Sequence, residues 1–247
     1  MAIIDDPSAY FQTALYTGDG NAQTITNDGN SDLQPDWVWI AMRSHADNKI
    51  WYDSVRGVTK RLVSNLNSAE ATVSDMVTAF NSDGFSVGTN SNVTGDGKTF
   101  AAWQWKAGTS FTNDASSTGI GTIDSTGSAN DTAGFSIVSW TGTGSAGTIK
   151  HGLSNEVRMI IIKNLNSAEA WPVYNAGNTS APATEQIYLN LTNATSDGSS
   201  HWNDTSPTSS VFTVGSSTEA NKSSSPMIAY CFAEKQGYSK FGSYTGN

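Results

Sequence analysis

The side chains that could run acid–base or nucleophilic chemistry are few in this sequence and lie far apart. Six glutamates, Glu70, Glu156, Glu169, Glu185, Glu219 and Glu234, occur singly. No strand-like run carries two carboxylates on one face with a third nearby, the arrangement a sandwich glycanase needs for its acid and nucleophile. His45, His151 and His201 are isolated, without the His-x-x-x-His spacing that holds zinc. Cys231 is the single cysteine, so neither an intrachain disulfide nor a cysteine metal site can form. No Gly-x-Ser-x-Gly elbow and no phosphate loop occurs. This pattern points to a protein that is not an enzyme and has no catalytic residues.

Two stretches offer binding chemistry instead. "SSHWNDTSP" sets Trp202 among His201, Asn203 and Asp204 in a polar run. An indole face with hydrogen-bonding neighbours could stack on a sugar ring, so these four are candidate ligand-binding residues; Trp202 as a rim residue covering a sandwich edge is the competing reading. In "DGNSD", Asp28, Asn30 and Asp32 space oxygen ligands as a calcium site would. That loop lacks the glycine and distal glutamate of an EF-hand, and no other cofactor is expected. The basic knot "RGVTKR", Arg56 to Arg61, reads as a solvated hairpin. "TGDGKTF", Thr94 to Phe100, has the look of an Asp-box hairpin with Lys98 in place of the usual glycine.

The elements that must carry these residues are strands. Apolar residues make up 37% of the 247 and charged residues 14%, leaving a large share of Ser, Thr, Asn and Gly. Those residues compete for backbone hydrogen bonds or loosen the backbone, and so disfavour helices. Short β-type runs in the first 106 residues are separated by "GDGN", "NDGNSD", "HADN", "NSDG" and "TGDG", which are turn signals. About eight short strands at that spacing predict an antiparallel sandwich of jelly-roll type with no helix longer than a turn. The net charge of −9 argues against nucleic-acid binding. The N-terminus has no signal-peptide pattern, and no apolar run reaches membrane-spanning length.

The order of those strands is repeated. "NLNSAEA" occurs at residues 65–71 and again at 164–170, an offset of 99, but nothing else follows that offset. A fainter register does recur. "FQTALYTGDG" at Phe11 matches "FSIVSWTGTG" at Phe135, "WVWI" at Trp37 faces "MIII" at Met159, and "WYD" at Trp51 faces "VYN" at Val173. "NLNSA" at Asn65 faces "NLTNA" at Asn190, "FSVG" at Phe85 faces "FTVG" at Phe212, and "FAAWQW" at Phe100 faces "MIAYCF" at Met227. The offsets drift only from 122 to 127. The expected organisation is therefore two tandem units: residues 1–106, a Gly/Ser/Thr-rich connector at 107–134 with room for one or two edge strands, and residues 135–235. The last stretch, 236–247, is a terminal strand or the opening of a third unit. Both copies of "NLNSAEA" then fall in hairpin loops at non-equivalent corners.

The same register interprets the paired tryptophans. Trp37 and Trp39 alternate on one strand face, as do Trp103 and Trp105, and the second unit replaces them with Met159, Ile161, Tyr230 and Phe232. Exchange among bulky apolar types is what a packed core tolerates, so they are assigned to the sandwich core. Tyr16 and Trp140 are equivalent and read the same way.

"DDPSAYFQTALYTGDG", "LQPDWVWI", "YDSVRGVTKRLVSNL", "FNSDGFSVG", "AAWQWKAG" and "AYCFAEKQGYSKFGSYTG" together resemble the repeat β-sandwich, lectin-like virion and tail-fibre-type proteins of marine tailed bacteriophages. The resemblance covers nearly the whole chain. It implies a non-enzymatic structural protein displayed on the phage particle as a tail-fibre or adhesion module, with capsid decoration or a head fibre as the alternative. A polysaccharide-degrading enzyme is the less favoured third class. The implied partners are other virion proteins and a host-surface glycan, with no nucleic acid and no membrane insertion. Assembly would occur in the host cytoplasm, and a homotrimer is the natural guess for a fibre.

Overall fold

In a computed structural model, which describes residues 4–246, the chain divides into two compact units, Asp5–Ala107 and residues 108–246 together with Ile4. The first unit contains β1 (Phe11–Thr17), β2 (Gln23–Ile25), β3 (Trp37–Met42), β4 (Lys49–Asp53), β5 (Lys60–Val63), β6 (Ala71–Thr72), β7 (Val77–Phe80) and β8 (Phe85–Val87), then the helical turn α1 (Ser91–Thr94) and β9 (Thr99–Trp105). The second contains β10 (Thr109–Asn113), the turn α2 (Ala115–Thr118), β11 (Ser125–Asn130), β12 (Phe135–Thr141), β13 (Gly147–Lys150), β14 (Val157–Asn164), β15 (Pro172–Asn175), β16 (Glu185–Tyr188), β17 (Ser196–Asp197), β18 (Val211–Val214), α3 (Thr218–Asn221) and β19 (Pro226–Ala233). Both units are antiparallel β-sandwiches.

The first unit has one sheet in the order β1-β9-β3-β4-β5-β6 and another in the order β2-β8-β7. Outer pairing of the first strand with the last, and inner pairing of β2 with β8, is the nesting that rolls a jelly-roll sandwich. The second unit repeats this with β12-β19-β14-β15-β16-β17 and β13-β18. The repeat holds residue by residue. Trp39 pairs with Trp103 and Trp51, while Ile161 pairs with Tyr230 and Val173. Trp51 pairs with Leu62 as Val173 pairs with Ile187, and Lys60 with Thr72 as Glu185 with Asp197. The loop at 65–70 thus joins β5 to β6, whereas its identical copy at 164–170 joins β14 to β15, so the two heptapeptides occupy different corners.

The recurring Thr-Gly-x-Gly motif has a packing cause. A Cβ on Gly18 would lie 2.4 Å from the backbone of Thr94, and one on Gly142 would lie 2.2 Å from the Lys222 carbonyl, so both strands end by running under the helical turn. Two residues later, the amides of Gly20 and Gly144 donate to the Thr94 and Asn221 carbonyls at 2.7 and 2.8 Å.

Residues 107–134 carry the edge strands expected there, β10 and β11, which extend the second unit's larger sheet beyond β12, so the stretch clusters with that unit. β11 is rich in Ser, Gly and Ala, and its Gly127 lies against the Phe111 ring, where a Cβ would be 3.0 Å away. Of the two readings of 236–247, the terminal strand does not form among the described residues: a turn links Lys235 to Ser239, and Phe241 packs on Phe232. Asn247 lies outside the described residues. The Asp-Gly of "TGDGK" joins α1 to β9 and is not a hairpin, whereas "NSDG" does turn β7 into β8, with Gly84 at φ 92°.

Each sandwich encloses its own core. Val38, Ile40, Ile50, Tyr52, Val77, Phe85 and Phe100 fill the first, while Val138, Trp140, Ile160, Ile162, Phe212 and Cys231 fill the second. Tyr16 meets Phe85 edge-on at 6.3 Å, and their counterparts Trp140 and Phe212 meet edge-on at 5.7 Å. The paired tryptophans are not in this core. Because side chains alternate along a strand, Val38 and Ile40 point inward and Trp37 and Trp39 take the opposite face of the same sheet. There Trp37 stacks on Trp105 at 4.1 Å, Trp39 lies 5.2 Å from Trp103, and Trp51 meets Trp37 edge-on at 4.6 Å. Phe11 extends this indole cluster onto Trp105 at 4.9 Å, matched by Phe135 on Phe232 at 4.9 Å.

Phe85 and Phe212 hold equivalent, fully buried positions. Replacing either by Ala should cost about 3–5 kcal/mol, measured by denaturant unfolding. Losses differing several-fold between the two would contradict the equivalence of the cores.

Candidate functional site

The four residues read as a ligand site are split by the backbone. His201 and Trp202 are buried, at 3% and 1% exposure, whereas Asn203 and Asp204 stand on an exposed turn. Trp202 is part of the second core and meets Tyr174 edge-on at 5.7 Å, so neither face of its indole is open to a sugar. The cause lies in the missing strand: no element of the second unit corresponds to β7, and Trp202 occupies the part of the repeat where Met76 and Val77 fill the first core. Asn203 and Asp204 adopt φ of 50° and 49°, a left-handed geometry that Asn and Asp tolerate better than most residues. They reverse the chain so that the indole can enter. Trp202→Ala should therefore destabilise the second unit by about 3–5 kcal/mol. A variant of wild-type stability in thermal unfolding would contradict this placement.

His201 sits in a polar knot. Its Nε2 lies 2.6 Å from Glu219 Oε2 and 3.2 Å from Ser217 Oγ, and the Tyr188 hydroxyl donates to the same carboxylate at 3.1 Å. The hydrogen bond from His201 holds the Glu219 carboxyl below its ordinary range. Ser217 and Glu219 share this one ring nitrogen. Ser200 Oγ is 3.4 Å from Nδ1, and the ring itself is buried. Ser217 also caps α3 by accepting from the Glu219 amide, so the knot fixes the 199–202 turn to the start of that helix. Nearby, Lys163 is buried beside Trp171, with its Nζ 5.9 Å from the ring, and donates to the Asn164 and Ser167 carbonyls. Burial lowers its pKa to about 8.

Asp28, Asn30 and Asp32 are exposed. Gln12 organises their loop, donating to the Ser8 and Ser31 carbonyls and accepting from the Gly29 amide, and Asp6 accepts from the Ser8 and Ser31 hydroxyls. Among the described residues no three His, Cys, Asp or Glu side chains gather as a metal site would require. The basic knot is not solvated either. Arg56 is almost buried: its guanidinium forks onto Asp53 at 2.7 Å and reaches the Lys60 carbonyl and Glu70. Asp53 is fully buried, so the pair anchors the end of β4 to the β5–β6 hairpin.

The structure brings together a polar cleft that the sequence did not indicate. It is open, about 490 Å³, and is lined by Ile120, Asp131, Lys150, Gly152, Leu153, Ser154, Ser209 and Ser210. Asp131 is engaged, accepting from the Ser154 amide and hydroxyl at 2.7 and 2.5 Å. Lys150 pairs with no carboxylate among the described residues and lies over the Phe111 ring at 5.7 Å. An ammonium over an aromatic ring, flanked by serine hydroxyls and an apolar wall, offers hydrogen bonds and one charge to a polyhydroxylated or anionic ligand.

The cleft rests on His151, which is fully buried; its Nδ1 accepts from the Leu153 amide at 3.2 Å and its Nε2 donates to the Thr208 carbonyl at 3.1 Å. Burial pulls its pKa down to about 4. The unfolded chain therefore takes up a proton near pH 6.5 that the folded chain refuses until about pH 4. The stability contributed by neutral His151 is present above pH 6.5 and lost as pH falls toward 4. Between pH 7 and 5 that loss should be roughly 2 kcal/mol. The measurement is the pH dependence of urea unfolding; a His151→Gln slope matching wild type over this interval would contradict the assignment.

The fold is that of a tandem all-β sandwich protein, and its second unit carries an open surface cleft. The chain belongs to the family described as a domain of unknown function (DUF7483), whose model matches residues 6–247 and so runs through both units. No curated protein and no solved structure matches the chain.

Proposed function

We propose that the chain is a non-enzymatic structural protein of a bacteriophage particle, displayed on the virion surface as a tail-fibre or adhesion module. The observation that carries the reading is the Lys150 cleft: an ammonium without a carboxylate partner, open to solvent, on a duplicated rigid scaffold. The acid–base groups His201 and Glu219 are engaged with each other, with Ser217 and with Tyr188. Other virion proteins would hold the scaffold, and a host-surface glycan would be the ligand, bound through hydroxyls, charge and the wall beside Phe111.

Binding of the purified protein to host cells and to a glycan array tests the adhesive role. Lys150→Ala should weaken it about tenfold, as loss of one charge-assisted hydrogen bond would. Absence of binding above background, or binding indifferent to Lys150, would remove the adhesive role. Release of reducing sugar from host capsule would overturn the non-enzymatic reading. Electron microscopy of labelled particles locates the protein: a few copies at the tail are expected, and dense labelling of the head would reassign it to capsid decoration.

A further inference from the structure

The second unit contains an experiment on the first. β12 is paired on both sides, by β19 and by β11, whereas its counterpart β1 is paired with β9 and ends its sheet. The amides of Gly18 and Lys106 bond across to β9 and β1, so in the alternating antiparallel pattern the even-numbered residues of β1 face β9. Phe11, Thr13 and Leu15 turn their backbone groups outward. These correspond to Phe135, Ile137 and Ser139, which face Asn130, Ser128 and Thr126 of β11.

Among the described residues, nothing about β1 protects this edge. Sheet edges are ordinarily blunted by charge, proline, a bulge or a covering segment. "FQTALYT" has no charge and no proline, its ladder with β9 is regular over all seven residues, and Leu15 is 68% exposed. An open gap of about 250 Å³ lies beside it, between β1 and β2.

We propose that the outer edge of β1 pairs antiparallel with β1 of a second copy of this chain, joining the two sheets across a twofold axis at Thr13. The sequence is self-complementary in that register. Thr13 faces Thr13, each Leu15 faces the other copy's Phe11, and Gln12 faces Ala14, with no like charges opposed. Leu15 is thereby covered by a ring already seated on Trp105. The β10–β11 hairpin cannot serve as the occupant, since it is committed to β12 of its own unit. A twofold contact of this kind is a pair, not the threefold assembly expected for a fibre, and it does not depend on the adhesive reading.

Sedimentation of the full chain should show a dimer, with Leu15→Lys raising the dissociation constant at least about tenfold. Leu15 is exposed, so that variant should keep its circular dichroism. Thr13→Cys should give a disulfide-linked dimer under mild oxidation, because facing residues lie within disulfide range. Thr17→Cys should not, since its two copies would sit far apart, and buried Cys231 should stay unreacted. A monomer at all accessible concentrations, a dimer indifferent to Leu15→Lys, or Thr17→Cys linking as readily as Thr13→Cys would each overturn the proposal.

Discussion

Each unit is closed by its last strand, which inserts between the first and the third. β9 carries β1 on one side and β3 on the other, and β19 carries β12 and β14 in the same way. No part of this ladder can form until nearly the whole unit is available, because Phe11 finds Trp105 and Phe135 finds Phe232 from opposite ends of their segments. Loop closure over that length must precede the reward in hydrogen bonds and burial, which makes folding slow and cooperative. The helical turns just before β9 and β19 support this step. They bury Val93 or Ala220 and receive the glycine-lined strand ends.

The architecture was readable because pairing preserves register even where residue types drift. Offsets of 122 to 127 linked residues that turn out to face equivalent partners, so the weak anchors outweighed an identical heptapeptide. The face of the tryptophans was not readable. Alternation says that Trp37 and Trp39 lie together, but β3 is apolar on both faces, and Val38 and Ile40 compete equally for the interior. Trp202 was misread for a related reason. Its polar neighbours suggested a surface loop, although the register set it level with Met76 and Val77, both buried. Arg56 likewise looked solvated because its partner Glu70 lies beyond a hairpin.

The candidate binding groove could not be found from local motifs. Its lining comes from the β12-flanking hairpin, the end of β13 and the loop before β18, segments with nothing distinctive in them. Lys150 becomes notable only once the fold shows which carboxylates fail to reach it. The hairpin β10–β11 supplies both the cover for β12 and part of the cleft wall. The first half has neither.

The indole cluster has an optical consequence. Five of the eight tryptophans lie in the first unit, with Trp37 and Trp105 nearly parallel at 4.1 Å and Trp39 and Trp51 crossed at 67°. Chromophores this close and this rigidly skewed share their excited states, so the first half carries an intrinsic exciton signal in circular dichroism. One half of the molecule thus carries its own spectroscopic label, sensitive to angular changes in a single sheet.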